Sequence, residues 1–328
     1  MSEVGLLYLS RGDVAGLGVA MPEVVAAVDA ALREKGCGRA VVPPKLSLHG
    51  DAGAFSQAMA AAMPAAGGLG VKWVTIFPAN AAAGLPTVNG LIVVNDPVDG
   101  MPEAVMDAAL VTAWRTGASA GVAARYLAGA DADGVGVVGC GVQGRAAAEA
   151  LAVVLPGLRR VRCHDAVEQA ARRFAGDVAA RHPGLACTAC ATAAEAARGA
   201  AVVVTAITMR DDAPPILDAD ALEPGALAVA LDYDAAWSPA AMAACDRFFC
   251  DDTAQLLAAK AKGPRLRDIP ERIAGDLGEL AAGRVRGRTT GTERLFCMNL
   301  GVAVEDVATA RLVLARARER GIGTSLPR

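Results

Sequence analysis

Gly134-Val135-Gly136-Val137-Val138-Gly139-Cys140-Gly141-Val142-Gln143-Gly144 is the stretch that decides the fold. The apolar run before Gly139 reads as a buried strand, and a helix opens at Val142. Each glycine of the Gly139-x-Gly141-x-x-Gly144 pattern has a physical reason. Gly139 permits a tight turn, Gly141 lets the backbone approach a pyrophosphate, and Gly144 lets helix and strand pack closely. The helix N-terminus then offers free N–H groups and a positive dipole end to phosphates. Asp165 ends the next strand, 21 residues after Gly144. An acid there accepts hydrogen bonds from the adenosine ribose hydroxyls and repels a 2′-phosphate. No arginine follows at Ala166 or Val167, so the turn predicts NAD rather than NADP. The bland alternative is a glycine turn used only for packing.

Outward from this turn, strand and helix alternate. Strands are expected at 134–138, 159–164, 185–190, 201–206, 226–231 and 247–250, with helices at 142–155, 166–181 and 192–198 between them. Such alternation implies an α/β fold with a doubly wound parallel sheet of the Rossmann type. The first third differs. A helix from Met21 to about Lys35 precedes strand-like segments near 41–49, 53–59, 69–77, 87–95 and 101–106, which suggest a mixed or antiparallel sheet. Long helices are expected at about 107–128 and 301–320.

Composition excludes several classes of function. The chain has 328 residues, 54% hydrophobic and 20% charged, which suits a large core and roughly two domains. A net charge of −3, with only short basic clusters at 159–162 and 284–288, argues against nucleic acid as a partner. Glu3 and the short apolar run Val4–Leu9 do not make a secretion signal, and the uncharged stretch 73–95 is broken by Pro78, Pro86 and asparagines. A cytoplasmic protein with no membrane partner is expected. The eight cysteines form no disulfide framework, and Cys187-Thr188-Ala189-Cys190 lacks the second pair a zinc site needs. With three scattered histidines, no metal is expected.

Further motifs run along nearly the whole chain: Val42-Pro43-Pro44-Lys45, Gly70-Val71-Lys72-Trp73-Val74, Gly84-Leu85-Pro86-Thr87, Ala104-Val105-Met106-Asp107 and Arg115-Thr116-Gly117-Ala118. Leu277-Gly278-Glu279-Leu280 and Leu300-Gly301-Val302-Ala303-Val304-Glu305-Asp306 follow the glycine turn. In order and spacing the chain resembles the ornithine cyclodeaminase/mu-crystallin family, which includes an archaeal-type alanine dehydrogenase and ketimine reductases. The resemblance implies a substrate-binding and dimerisation domain over 1–118 plus 301–328, an NAD-binding domain over 119–300, and a homodimer. It implies that Lys45, Lys72 and Arg115 surround a substrate carboxylate, joined on the substrate side by Gln57 and Leu300. A buried carboxylate needs such cations, and Arg grips it through two parallel bonds. Thr87, Arg115, Val142, Gln143, Asp165, Thr205, Asp232 and Asn299 join Gly139, Gly141 and Gly144 as the cofactor set.

Asp234 matches the family's catalytic acid/base. It lies beyond the carboxyl end of a strand, where ligands bind in open parallel sheets. Asp232, two residues earlier, points to the same side if the strand continues, and periodicity does not separate the two. The chain departs from the family at this loop, which reads Asp232-Tyr233-Asp234 where Gly-x-Asp is usual, with Ser238 in place of a lysine. Ala60 stands in place of a proline and Asn299 in place of a serine. Gln57 replaces a glutamate, keeping hydrogen-bonding capacity without the charge that would stabilise a second substrate ammonium. The resulting expectation is an NAD-dependent oxidoreductase acting at the C–N bond of a small amino or imino acid. The alternatives are an ornithine or lysine cyclodeaminase and a non-catalytic ligand-binding protein.

Overall fold

The computed structural model describes residues 5–51, 53–210, 213–262 and 266–327. The chain begins with β1 (Leu6–Leu9), α1 (Arg11–Gly16), α2 (Met21–Gly36), β2 (Leu46–His49), β3 (Phe55–Met63), β4 (Gly68–Ile76), β5 (Val88–Asn95), β6 (Pro102–Asp107) and α3 (Ala109–Leu127). There follow β7 (Gly134–Val138), α4 (Val142–Val154), β8 (Arg160–His164), α5 (Glu168–Arg181), β9 (Ala186–Ala189), α6 (Ala193–Ala197), β10 (Val202–Thr205) and β11 (Leu227–Ala230). The remainder comprises α7 (Pro239–Ala243), β12 (Arg247–Cys250), α8 (Thr253–Lys260), β13 (Gly275–Asp276), α9 (Leu277–Ala281), β14 (Leu295–Met298), α10 (Ala303–Arg320) and β15 (Thr324–Leu326). Two compact units result. One comprises Met1–Arg115 with Val302–Arg328, the other Thr116–Gly301.

In the first unit the described strands form one sheet in the order β15-β1-β6-β5-β4-β3-β2, antiparallel except for the parallel β1–β6 pair. The mixed or antiparallel sheet expected from sequence is therefore present. Within the short apolar run near the N-terminus, read only as too short for a secretion signal, Leu6–Leu9 form its strand β1. Alternation along β4 divides the two faces. Gly68, Gly70, Lys72 and Val74 are buried while Trp73 is exposed, because successive side chains leave a strand on opposite sides. The buried face packs against α10, whose Val307, Ala310, Val313, Leu314 and Ala317 join Ile92, Val94 and Met106 in the core. The α10 sequence suits both ends of a helix dipole, with Glu305 and Asp306 in the first turn, Arg318 and Arg320 in the last, and Gly321 at φ 62° to terminate it. The long helix α3 starts at Ala109 rather than 107. Asp107 still pairs with Leu91 in the sheet, and its carboxylate accepts the Ala109 N–H at 2.9 Å.

The second unit carries an all-parallel sheet, in the order β13-β12-β14-β11-β10-β7-β8-β9. This is the doubly wound arrangement that strand–helix alternation predicts. The order reverses between β7 and β10, and the crevice at such a switch point is where ligands bind. Strand β14 was not foreseen and inserts between β11 and β12. Its Phe296 stacks on Phe248 with ring centroids 5.0 Å apart and meets the edge of Trp237 at 5.6 Å. Trp237 is 1% exposed and belongs to this core. The eight cysteines are all free thiols. Among the described residues no helix is long and apolar enough to cross a membrane, and no group of His, Cys, Asp and Glu could hold a metal.

Candidate functional site

The glycine turn leaves β7 at the switch point. Gly139 sits at φ 98°, and a Cβ on it would collide with the carbonyl oxygen of Ala206 in the loop after β10. A Cβ on Gly144 would collide with the Gly139 carbonyl oxygen. Both positions therefore exclude every side chain. Gly141 is different, since a Cβ there meets nothing within 4 Å. That open space lies at the N-cap of α4, where no side chain caps the first N–H groups. Those donors need an acceptor from solvent or a ligand. Val142 next to it is 67% exposed, and the Gln143 Oε1 is buried with no hydrogen-bond partner among the described residues. An open cradle, free amides and an orphaned acceptor fit a dinucleotide. Asp165 closes the turn, its carboxylate accepting the Cys140 N–H at 2.8 Å and the Val167 N–H at 2.9 Å. These bonds fix its orientation and leave lone pairs for ribose hydroxyls.

Across the switch point, Thr205 ends β10 fully buried. Its hydroxyl donates to Asp232 Oδ1 at 2.7 Å and accepts the Trp237 Nε1–H at 3.2 Å. Asp232 Oδ2 accepts the Ile207 N–H at 2.9 Å. Burial pushes the Asp232 carboxyl up to about 6, opposed by the Ile207 and Thr205 hydrogen bonds. Asp234 is half-buried, and its Oδ2 accepts the Leu266 N–H at 2.8 Å. Tyr233 between the two acids has φ 58°, and Leu266 has φ 65°. Non-glycine residues rarely adopt such angles, and strain of this kind clusters at functional sites. Ser238 donates to Asp218 at 2.6 Å and caps α7 through the Ala241 N–H at 3.0 Å, a structural use for the residue that departs from the family pattern. Asn299 donates to Ser119 at 2.9 Å, and Leu300 is buried in the core of this unit.

The first unit gathers the basic residues. Lys72 is 1% exposed on the helix-facing side of β4, between Met59 on β3 and Ile92 on β5. Its Nζ lies 2.6 Å from Asp306 Oδ1. Arg115 sits 3.0 Å from both Glu305 Oε2 and Asp306 Oδ1. Burial, with the Arg115 charge next in weight and Lys45 adding to it, brings the Lys72 ammonium down to about 7 despite the pull of Asp306. Lys45, half-buried just before β2, is thus close enough for its charge to be felt. Gln57 lies on the same sheet face and donates to Ser47 Oγ at 3.2 Å. Thr87 is half-buried, and its carbonyl accepts the Phe77 N–H at 2.8 Å.

Sequence reasoning assigned no role to Glu305 and Asp306 as partners of the cations, nor to Ser47 beside Gln57. Lys72 and Asp306 are 234 residues apart. The one available signal was a pair of adjacent acids at the start of an otherwise apolar helix face.

A model of the ornithine cyclodeaminase/mu-crystallin family matches residues 8–321. The alanine dehydrogenase of Archaeoglobus fulgidus is 33% identical over 331 residues, covering 98% of each chain. Among solved structures, the Thermococcus litoralis Delta(1)-pyrroline-2-carboxylate reductase in complex with NADH and L-proline aligns with TM-score 0.88 and 28% identity. That alignment covers 98% of this chain and 100% of the other. An archaeal alanine dehydrogenase dimer with bound NAD aligns with TM-score 0.86 and 31% identity, covering 98% of each.

Proposed function

This chain belongs to the ornithine cyclodeaminase/mu-crystallin family, and from that premise we propose that it is an NAD(H)-dependent oxidoreductase acting at the C–N bond of a small amino or imino acid. One observation carries the substrate side, the gathering of cations around Lys72. Lys72 and Arg115 are buried together, and Lys45 is close enough for its charge to add to burial and Arg115 in bringing the Lys72 ammonium down. Buried cations that repel one another are relieved when an anion arrives, and a substrate carboxylate is such an anion. Glu305 and Asp306 hold the two cations in place beforehand, so binding costs less ordering.

Bound at the glycine turn, the nicotinamide dinucleotide supplies the two-electron exchange at the substrate carbon. Gly139, Gly141, Val142, Gln143 and Gly144 receive its pyrophosphate, and Asp165 receives its ribose. The Asp165 carboxylate, held by two backbone amides, disfavours a 2′-phosphate and so selects NAD. Asp234 moves the proton at the substrate nitrogen. The Leu266 N–H holds one of its oxygens, which orients the carboxylate for that proton transfer. Gln57 offers a neutral amide where a second ammonium would want a carboxylate. This favours monoamino acids or simple imines over ornithine and lysine.

The reading extends to assembly and location. Leu46, Ala58, Trp73 and Leu91 form one row across β2–β5 on the face away from α10, and Leu46, Trp73 and Leu91 are 59%, 40% and 46% exposed. With Leu48 beside them, they form an apolar sheet face of the kind that pairs with a second copy. We take the protein to be a homodimer through this face. Eight free thiols suit the reducing cytoplasm.

The deciding experiment is a screen of amino acids with NAD and of imines with NADH, followed by NADH absorbance and paired with an ammonia assay on ornithine. Stoichiometric NADH change with one substrate supports the oxidoreductase. Ammonia release without net NADH makes the protein a cyclodeaminase. Inactivity throughout, with NADH still bound, makes it a binding protein.

A further inference from the structure

Asp232 is 2% exposed, and both of its carboxylate oxygens are engaged by protein groups. Oδ1 takes the Thr205 hydroxyl proton at 2.7 Å, and Oδ2 takes the Ile207 N–H at 2.9 Å. Thr205 in turn accepts the indole N–H of Trp237 at 3.2 Å. A hydroxyl has one proton, so Thr205 has none left to give a ligand. The Ala206–Ile207 peptide that Asp232 grips forms the wall behind the dinucleotide turn. A Cβ on Gly139 would collide with the Ala206 carbonyl and lie 3.0 Å from the Ile207 nitrogen. The chain of contacts therefore runs from β11 through Asp232 to the loop after β10, and from that loop to the first glycine of the turn. The strands joined this way, β10 and β7, flank the switch point.

We propose that Asp232 is a positioning residue for the dinucleotide: its carboxylate clamps the Ala206–Ile207 peptide against Gly139 and so fixes the depth of the cofactor turn, without touching cofactor or substrate. This rests on the dinucleotide reading given above. A carboxylate suits the task because it is acceptor-only, and both groups aimed at it are donors. Asp234, two residues on, is the charged neighbour acting on Asp232, and it reinforces burial in favouring the protonated form. Thr205 faces it from the end of β10 and Ile207 from the loop that follows. Once protonated, Asp232 has a donor of its own to place, and the clamp loosens.

The test is Asp232→Asn, read by NADH fluorescence titration and by steady-state kinetics. One of the two amide positions must now present N–H to a donor. The dissociation constant for NADH should rise about tenfold at pH 7.5, the loss of roughly one charge-assisted hydrogen bond. Turnover at saturating cofactor should stay within about threefold. In the unaltered protein NADH affinity should weaken as pH falls through about 6, and the Asn variant should lose that dependence. Thr205→Val should reproduce the affinity loss, while Thr205→Ser, which keeps the hydroxyl, should restore it. These two variants also serve if Asp232→Asn does not fold. Unchanged NADH affinity in both Asp232→Asn and Thr205→Val overturns the proposal. So does a collapse of turnover at saturating cofactor with affinity intact, which would make Asp232 the acid/base. Failure of the unaltered protein to bind NADH would instead remove the dinucleotide reading itself, and this proposal with it.

Discussion

The Leu266 backbone N–H donates to the Asp234 carboxylate across 2.8 Å, and left-handed backbone lies at both ends of that bond, φ 65° at Leu266 and 58° at Tyr233. One oxygen of Asp234 is thus held by a backbone amide within a strained frame. An amide oxygen accepts the same bond, so Asp234→Asn should fold normally and bind NADH as before. Its turnover should fall by about 10²–10⁴, the usual contribution of a positioned general acid/base. Full turnover in this variant would move the proton-transfer role elsewhere.

The buried ion pair of Lys72 and Asp306 predicts an asymmetry between single and double substitution. Asp306→Asn strips Lys72 of its counter-charge at 2.6 Å and should cost about 3–5 kcal/mol in urea unfolding. Lys72→Met combined with Asp306→Leu removes both charges of the pair and leaves Arg115 with Glu305 alone, so part of that loss should return while activity does not. Equal instability of the single and double variants would mean that the pair is not the source of the loss.

Lys72 also predicts a pH dependence. Its ammonium is brought from 10.5 down to about 7, so the charge offered to a carboxylate fades as pH rises through 7. The Michaelis constant for the amino or imino acid should increase from pH 6.5 to 8.5, and proton uptake should accompany binding near neutrality. Linkage gives the opposite trend for folding. Between pH 7 and 10.5 the unfolded chain holds the proton that the native state has lost, so the Lys72 contribution to native stability increases as pH rises across that window. A Michaelis constant flat over this range would show that Lys72 keeps its proton.

Cofactor choice is assigned to Asp165. Asp165→Ser keeps a short acceptor for Val167 but removes the charge. The preference for NADH over NADPH should shrink at least about tenfold, as expected when a single ionic interaction is lost. The ratio of the two dissociation constants measures it, and an unchanged ratio would place the discrimination elsewhere.

The apolar row on the open sheet face predicts that Trp73→Glu combined with Leu91→Glu yields a monomer by light scattering. Trp73 and Leu91 are cross-strand partners and half-exposed, so the new charges can stay solvated in an isolated chain. Burying them in a dimer is costly. A dimer that survives both substitutions uses another surface.

Much of the fold was legible because its signals are local. The glycine turn and the acid at Asp165 lie within about 30 residues, the span of one strand–helix–strand unit, and the alternation after them repeats units of that kind. Strand β14 was not legible. Leu295-Phe296-Cys297-Met298 is a four-residue apolar run with no periodicity of its own, and only pairing with β11 and β12 makes it a strand. The site shows the same division. Lys45, Lys72, Arg115 and Asp234 could be named from motifs, but what each one touches could not.

The amino-acid sequence by itself determined the kind of molecule, a doubly wound dinucleotide fold joined to a strand-rich unit, because glycine spacing and hydrophobic period act over a few residues. Only the tertiary structure decided the electrostatics. It set Asp306 against Lys72, gave both oxygens of Asp232 to Thr205 and Ile207, and left Asp234 bonded to a backbone amide. Charge and hydrogen-bond energies depend on distance and burial in three dimensions, and those are set by packing between residues far apart in the chain.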